Sequence, residues 1–152
     1  MTIYNKNILG STLLLSLLLM ITACSTEEQP NMSEKDVATE WANMTLYITQ
    51  YTPSNSPTFA SRAFGYTGLT MYESIVPGNK EYSTMNNQVT GLTMLPTIDT
   101  DKEYNWILSL NAGQSEILKN IYVQTSDENI QKIDSLEQVV YDQFKTSVAP
   151  ET

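Results

Sequence analysis

The stretch SPTFASRAFGYTGLTMYESIVPG, residues 56–78, has the boundaries of one helix and decides how the rest of the chain can pack. Ser56 followed by Pro57 is a favoured helix start, because the serine side chain caps a free backbone N–H and proline has no N–H to leave unpaired. Pro77 and Gly78 are typical of a helix end. The stretch therefore predicts a helix that begins at Pro57 and ends near Pro77–Gly78.

Small side chains form one side of this helix, where Ser61, Gly65 and Gly68 follow each other at spacings of four and three residues. Each glycine inside a helix costs about 1 kcal/mol relative to alanine. Because small side chains let two helix backbones approach closely, close packing is the compensation that we expect. The sequence therefore predicts that another helix lies against this side.

Three further segments have helical periodicity. Ser33 and Asp36 form a capping-box pattern, which predicts that the first helix starts there. Similar patterns predict that the third helix opens at residues 100–103 (TDKE) and the last at 125–128 (TSDE). Gly113 is expected to break or bend the third helix. The residues expected to face the core are Val37, Trp41, Met44, Ile48 and Tyr51 in the first helix, Trp106, Ile107, Leu110, Ile117 and Ile121 in the third, and Ile130, Ile133, Leu136, Val140 and Phe144 in the last.

Residues 78–100 have little helical period and contain Asn-Asn, Gly91 and Pro96, so they are predicted to form one long ordered loop. The fold class predicted for the chain is all-α, an antiparallel bundle of about four helices within residues 34–152. Loops of this length often carry function, but we favour a structural role. The loop residues expected to cover the core are Tyr82, Met85, Val89, Leu92 and Leu95.

Charge and composition limit the possible chemistry. Seventeen acidic residues against eight basic ones give a formal net charge of −9, which repels polyanions, so no nucleic-acid partner is expected. The sequence has no histidine, and it therefore lacks the usual general base near neutral pH, the commonest metal ligand and any Ser-His or Cys-His pair. Its single cysteine can form neither an internal disulfide nor a CxxC metal site.

The N-terminal segment MTIYNKNILGSTLLLSLLLMITACST has a short polar start and then an uncharged, leucine-rich stretch. That stretch is shorter than the roughly 20 residues of a membrane-spanning helix. The letters ITA before Cys24 resemble the bacterial lipobox, which implies cleavage before Cys24 and lipid attachment to its thiol. We therefore expect a lipoprotein signal peptide over residues 1–23 and a flexible tether over residues 24–33. A serine at position 25, directly after the cysteine, resembles the signal that sorts lipoproteins to the outer membrane of the cell envelope. The alternatives to a lipoprotein signal peptide are a plain secretory peptide and an uncleaved anchor.

Few side chains after Cys24 are candidates for chemistry. Arg62, the sole arginine, is either catalytic or structural, and we favour a structural role in which its guanidinium binds Glu73, Glu40 or the carbonyl end of a helix. Glu73 needs a partner because it lies among apolar neighbours. The alternating acids of residues 99–103 lack the glycine and the distant glutamate of a calcium loop. No catalytic, cofactor-binding or metal-binding residue is therefore assigned.

Three segments, FASRAFGYTGLTMYESIVPG, EYSTMNNQVTGLTMLP and EYNWILSLNAGQSEILKNIY, resemble the N-terminal helical region of bacterial vanadium-dependent haloperoxidase-like proteins, relatives of the type 2 phosphatidic acid phosphatases. The resemblance covers about residues 37–148. In that family phosphate or vanadate is bound by KxxxxxxRP, PSGH-like and SRxxxxxHxxxD segments that lie downstream of the matched region. None of these motifs can be assigned here, because the chain has no histidine and Arg62 is not followed by proline.

This resemblance implies a scaffold that is inactive alone, and the lipobox before Cys24 implies that the scaffold is lipid-anchored. Its expected partners are the lipid bilayer, through acylated Cys24, and either a separate catalytic polypeptide or a second copy of the chain. Vanadate or phosphate is expected only where a separate catalytic half supplies the site. The alternative hypothesis is a non-enzymatic, acidic, helical binding lipoprotein of the cell envelope. Activity from carboxylates alone is a third hypothesis, which we disfavour.

Overall fold

The computed structural model describes residues 32–147, so the predicted signal peptide, Cys24 and nearly all of the predicted tether lie outside the described residues. Within this part of the chain there is no β-strand, which confirms the predicted all-α fold with about four helices and one long loop. No helix of residues 32–147 has both the length and the apolar character needed to cross a membrane. The helices are α1 (Glu34–Tyr51), α2 (Pro57–Ile75), α3 (Trp106–Ile121) and α4 (Asp127–Phe144), with short 3-10 turns at Val76–Gly78 and Lys145–Ser147.

Three of the four predicted helix starts are confirmed by their caps. The backbone N–H and the hydroxyl of Ser33 both donate to a carboxylate oxygen of Asp36, at 2.9 and 2.6 Å. These two hydrogen bonds stabilise the ionised carboxylate and lower the pKa of Asp36 below its usual value of 3.8. Ser56 and Ser126 each accept a hydrogen bond from the backbone N–H three residues further on, at 3.1 and 3.2 Å.

The predicted start of the third helix is wrong. Helix α3 begins at Trp106, because the side chain of Asn105 accepts a hydrogen bond from the N–H of Leu108 at 3.0 Å. Upstream, Asp99 accepts a hydrogen bond from the N–H of Asp101 at 3.1 Å and so closes a local turn. Such turns compete with helix formation, which explains why the acidic segment does not act as a cap. Of the break or bend predicted at Gly113, the break is not found, because α3 continues unbroken to Ile121.

Helix α3 contacts each of the other three helices and is the centre of the bundle. In successive contacts with α3, the residue numbers of α2 and α4 rise while those of α3 fall, so both helices are antiparallel to α3. In the contacts between α1 and α3 both numbers rise, so these two helices are parallel. The topology is therefore up-down-up-down. The contacts that establish these directions are Thr67–Gln114 and Gly78–Trp106 between α2 and α3, Asn111–Glu137 and Lys119–Asp134 between α3 and α4, and Trp41–Asn111 and Thr49–Tyr122 between α1 and α3.

The core consists of apolar side chains from all four helices, and it lies entirely between residues 37 and 140. The predicted inward position of Tyr51 is wrong, because 56% of this side chain is exposed. Trp106 and Ile117 are half-buried and lie outside the core cluster. Members of the cluster are Val37, Trp41, Ile48, Ala63, Leu110, Leu118, Tyr122, Ile133 and Val140, and the predicted residues Met44, Ile107, Ile121, Ile130, Leu136 and Phe144 pack against it partly buried.

A polar network joins three helices beside this core. The indole N–H of Trp41 donates to the side-chain oxygen of Asn111 at 3.0 Å, and the amide of Asn111 donates to the backbone oxygen of Glu137 at 2.8 Å. Lys119 forms ion pairs with Asp134 at 2.5 Å and with Glu137 at 3.3 Å. Burial lowers the pKa of Lys119, but the hydrogen bonds and charges of these two carboxylates outweigh it and raise that pKa above 10.5. The network fixes the register of α3 against its neighbours.

Candidate functional site

The long loop, defined here as residues 79–105, passes over the end of α2 and the start of α3 and forms with them a partly open cavity of about 670 Å³. The predicted role of this loop as a cover for the core is wrong, because none of its residues belongs to the core cluster. Tyr82 is 60% exposed and the four other residues predicted to cover the core are half-buried. The apolar side chains that line the cavity are Leu69, Val76, Pro77, Tyr82, Leu92, Leu95, Pro96, Ile98 and Trp106.

Glu73 holds the long loop against α2. One oxygen of its carboxylate accepts a hydrogen bond from the hydroxyl of Thr84, and the other accepts one from the backbone N–H of Met85, both at 2.6 Å. The preceding residue, Tyr72, donates its hydroxyl proton to the backbone oxygen of Ser83 at 2.6 Å. The partner that Glu73 was predicted to need is therefore the loop itself, and two adjacent residues of α2 fix the loop's position.

Trp106 forms a wall of the cavity in a fixed position. Its ring stacks on Tyr104, with the ring centroids 5.2 Å apart. The backbone of Gly78 also approaches the indole so closely that an added Cβ would lie 2.7 Å from Cε2 of the ring. The glycine that ends the 3-10 turn after α2 is therefore required for packing: only hydrogen fits where a side chain would begin.

The cavity has one charged lining residue, Glu73, and no lysine or arginine lines it. Asn86 also lines the cavity, and its side-chain oxygen is buried without a hydrogen-bond partner in the described part of the chain. A buried acceptor without a donor costs about 1–3 kcal/mol, so this oxygen favours any group that can donate to it. The site is therefore apolar, weakly acidic and supplied with an unused acceptor.

Arg62 takes no part in this site. It is exposed on α2 and forms no ion pair with Glu73, Glu40 or any other carboxylate of residues 32–147, so the expected carboxylate partner is not found. Among the same residues, no three or more acids or cysteines are grouped so that they could hold a metal ion. The structure thus leaves the sole arginine in solvent and brings Glu73 to the loop.

The small-residue side of α2 is also placed differently from the prediction. Gly65 and Gly68 are exposed, and apart from the adjacent residues and the surrounding backbone of α2 itself, no atom of residues 32–147 lies within 4 Å of a Cβ added at either position. The close approach of helices occurs instead at Gly113 of α3, where an added Cβ would lie 2.6 Å from the hydroxyl oxygen of Ser74. The prediction that a helix of this bundle covers Gly65 and Gly68 is therefore wrong.

Sequence reasoning missed the cavity and the roles of Gly78, Asn86 and Trp106 in it. The one available signal was the length of the loop, since long structured loops often carry function. Comparison of the chain with models of known protein families, with curated proteins and with solved structures found no match.

Proposed function

We propose that this chain is a lipid-anchored, non-catalytic scaffold protein of the bacterial cell envelope, similar in role to the N-terminal region of the haloperoxidase and phosphatase proteins that its sequence resembles. The proposal rests mainly on the structural role of Glu73, which holds the long loop against α2. Both oxygens of this carboxylate, the sole acidic group of α2, accept hydrogen bonds that hold the loop. The chain also has no histidine, so it lacks the side chain that most often transfers protons near neutral pH.

The proposed partner of the scaffold is a separate polypeptide that carries the KxxxxxxRP and SRxxxxxHxxxD motifs. Its docking surface is the open side of α2, where Gly65 and Gly68 form a shallow strip between Phe64, 41% exposed, and Tyr66, 51% exposed. Two glycines in a helix are unfavourable unless a close neighbour compensates for them. A helix of the partner would supply that neighbour.

Activity of the isolated chain is the first test. We expect a soluble form comprising residues 31–152, which contains the whole core, to show no phosphatase activity and no bromide oxidation with peroxide and added vanadate. Co-expression with a neighbouring gene product that contains both motifs should give activity. Gly68→Leu should abolish that activity and leave the fold of the isolated chain intact, with Ser135→Leu, an exposed position on α4, as the matched control. Turnover by the isolated chain would overturn the proposal.

Lipid anchoring is tested separately. In cells labelled with a fatty-acid analogue, the wild-type chain should carry the label and partition into the detergent phase, whereas Cys24→Ser should lose both properties. Equal labelling of the two proteins would contradict the anchor and leave the scaffold role to the activity test.

A further inference from the structure

We propose that the cavity beneath the long loop binds a small organic amine, a molecule with an apolar body and one ammonium group. This site goes beyond the scaffold role and is independent of it. The volume of about 670 Å³ lies within the range of roughly 300–1,000 Å³ typical of small-molecule sites, and the walls are mainly apolar side chains of α2, α3 and the loop.

The charge of the ligand follows from the walls. Glu73 is the one charged lining residue, so the cavity repels an anion and attracts a cation. Each carboxylate oxygen of Glu73 accepts one hydrogen bond from the loop, and because a carboxylate oxygen has two lone pairs, each can accept a second. The C-terminal end of α2 and the N-terminal end of α3 both meet the cavity, so their dipoles offset each other and Glu73 decides the sign.

Two further features fit an ammonium group. Tyr82 lines the cavity, and the face of an aromatic ring attracts cations. The side-chain oxygen of Asn86 is buried without a donor, and an N–H of the ligand would satisfy it. Apolar surface, one negative charge, an aromatic ring and a free acceptor thus line one cavity.

Three probes of similar size and different charge test the proposal: 4-phenylbutylamine, 4-phenylbutanol and 4-phenylbutyrate. They are titrated into the soluble form, residues 31–152, and followed by NMR of the two indole N–H groups. The resonance of Trp106 should move, and that of Trp41 should not, because Trp41 is fully buried and hydrogen-bonded to Asn111. The amine should bind about 10-fold more tightly than the alcohol, and the carboxylate should bind most weakly.

Two variants locate the binding. Glu73→Gln removes the charge but retains a side-chain oxygen that can accept a hydrogen bond from the N–H of Met85, so the amine and the alcohol should bind equally to this variant. The control is Glu81→Gln, at an exposed residue of the same loop outside the cavity lining, which should keep the 10-fold preference. Ser109→Phe, which fills the cavity, should abolish the binding of all three probes. Equal binding of the three probes to the wild type, an unmoved Trp106 resonance, or binding that survives Ser109→Phe would overturn the proposal.

Discussion

Gly113→Ala is expected to destabilise the bundle, although alanine is the better helix former. An added Cβ at this position would lie 2.6 Å from Oγ of Ser74 and 3.3 Å from Cγ2 of Thr70, both on α2. The hydroxyl of Ser74 cannot turn away without loss, because it donates to the backbone oxygen of Thr70 at 2.7 Å. The new methyl group therefore forces α2 and α3 apart or breaks this hydrogen bond.

The size of the effect is a difference of two terms. Overpacking of a well-packed contact costs about 1–3 kcal/mol, and the exchange of glycine for alanine inside a helix returns about 1 kcal/mol. We expect a net loss of about 1 kcal/mol in the free energy of unfolding, or about 4 °C in Tm for a domain of this size. Gly68→Ala, with nothing within 4 Å of the new Cβ, should instead gain about 0.5–1 kcal/mol.

Urea and thermal unfolding followed by circular dichroism would measure both changes. The decisive comparison is made in the Ser74→Ala background, where the Oγ atom is gone and the nearest remaining atom of residue 74 is Cβ, at an ordinary contact distance of 3.8 Å. There Gly113→Ala should be neutral or stabilising, which corresponds to a coupling of about 1–2 kcal/mol between the two positions. The same stabilisation from Gly113→Ala and Gly68→Ala in the wild type would refute the reasoning.

Three further outcomes are expected. Glu73→Ala should speed amide hydrogen exchange in the long loop at least 10-fold and leave α4 unchanged, whereas Glu81→Ala should alter neither region. Gly78→Ala should displace the indole of Trp106 and shift its fluorescence, and an unchanged spectrum would argue against the contact. Because the pKa of Asp36 is lowered in the folded state, its stabilising effect is present above pH 3.8 and lost as the pH falls below it, so Asp36→Asn should lower Tm at pH 7 but not in strong acid.

Caps and periodicity made most of the fold predictable. Ser33, Ser56 and Ser126 begin helices as expected, because capping depends on residues within one turn of each other. The start of α3 was mispredicted for the same local reason: two patterns, a cap at residue 100 and a turn at Asp99, compete within a few residues, and the turn is the one that forms.

The helix contacts of the glycines in α2 and α3 could not be predicted from local sequence patterns. The sequence contains the spacing of Gly65, Gly68 and Gly113, but it cannot show which of them meets another helix, because contact depends on how far each helix is rotated toward its neighbour. That rotation is set by partners distant in sequence, such as the hydrogen bond from Gln114 of α3 to the backbone oxygen of Thr67 on α2. Gly113 consequently packs against α2, while the other two remain open.

The sequence alone determined the all-α architecture, the acidic charge and the lack of histidine chemistry, because these follow from composition and from interactions within a few residues. Only the tertiary structure decided that Glu73 holds a loop, that Arg62 stands in solvent and that a cavity lies between α2 and α3. The physical reason is that the cavity walls and the partners of Glu73 come from different elements of the chain. These elements meet only when the helices have taken their positions in the bundle.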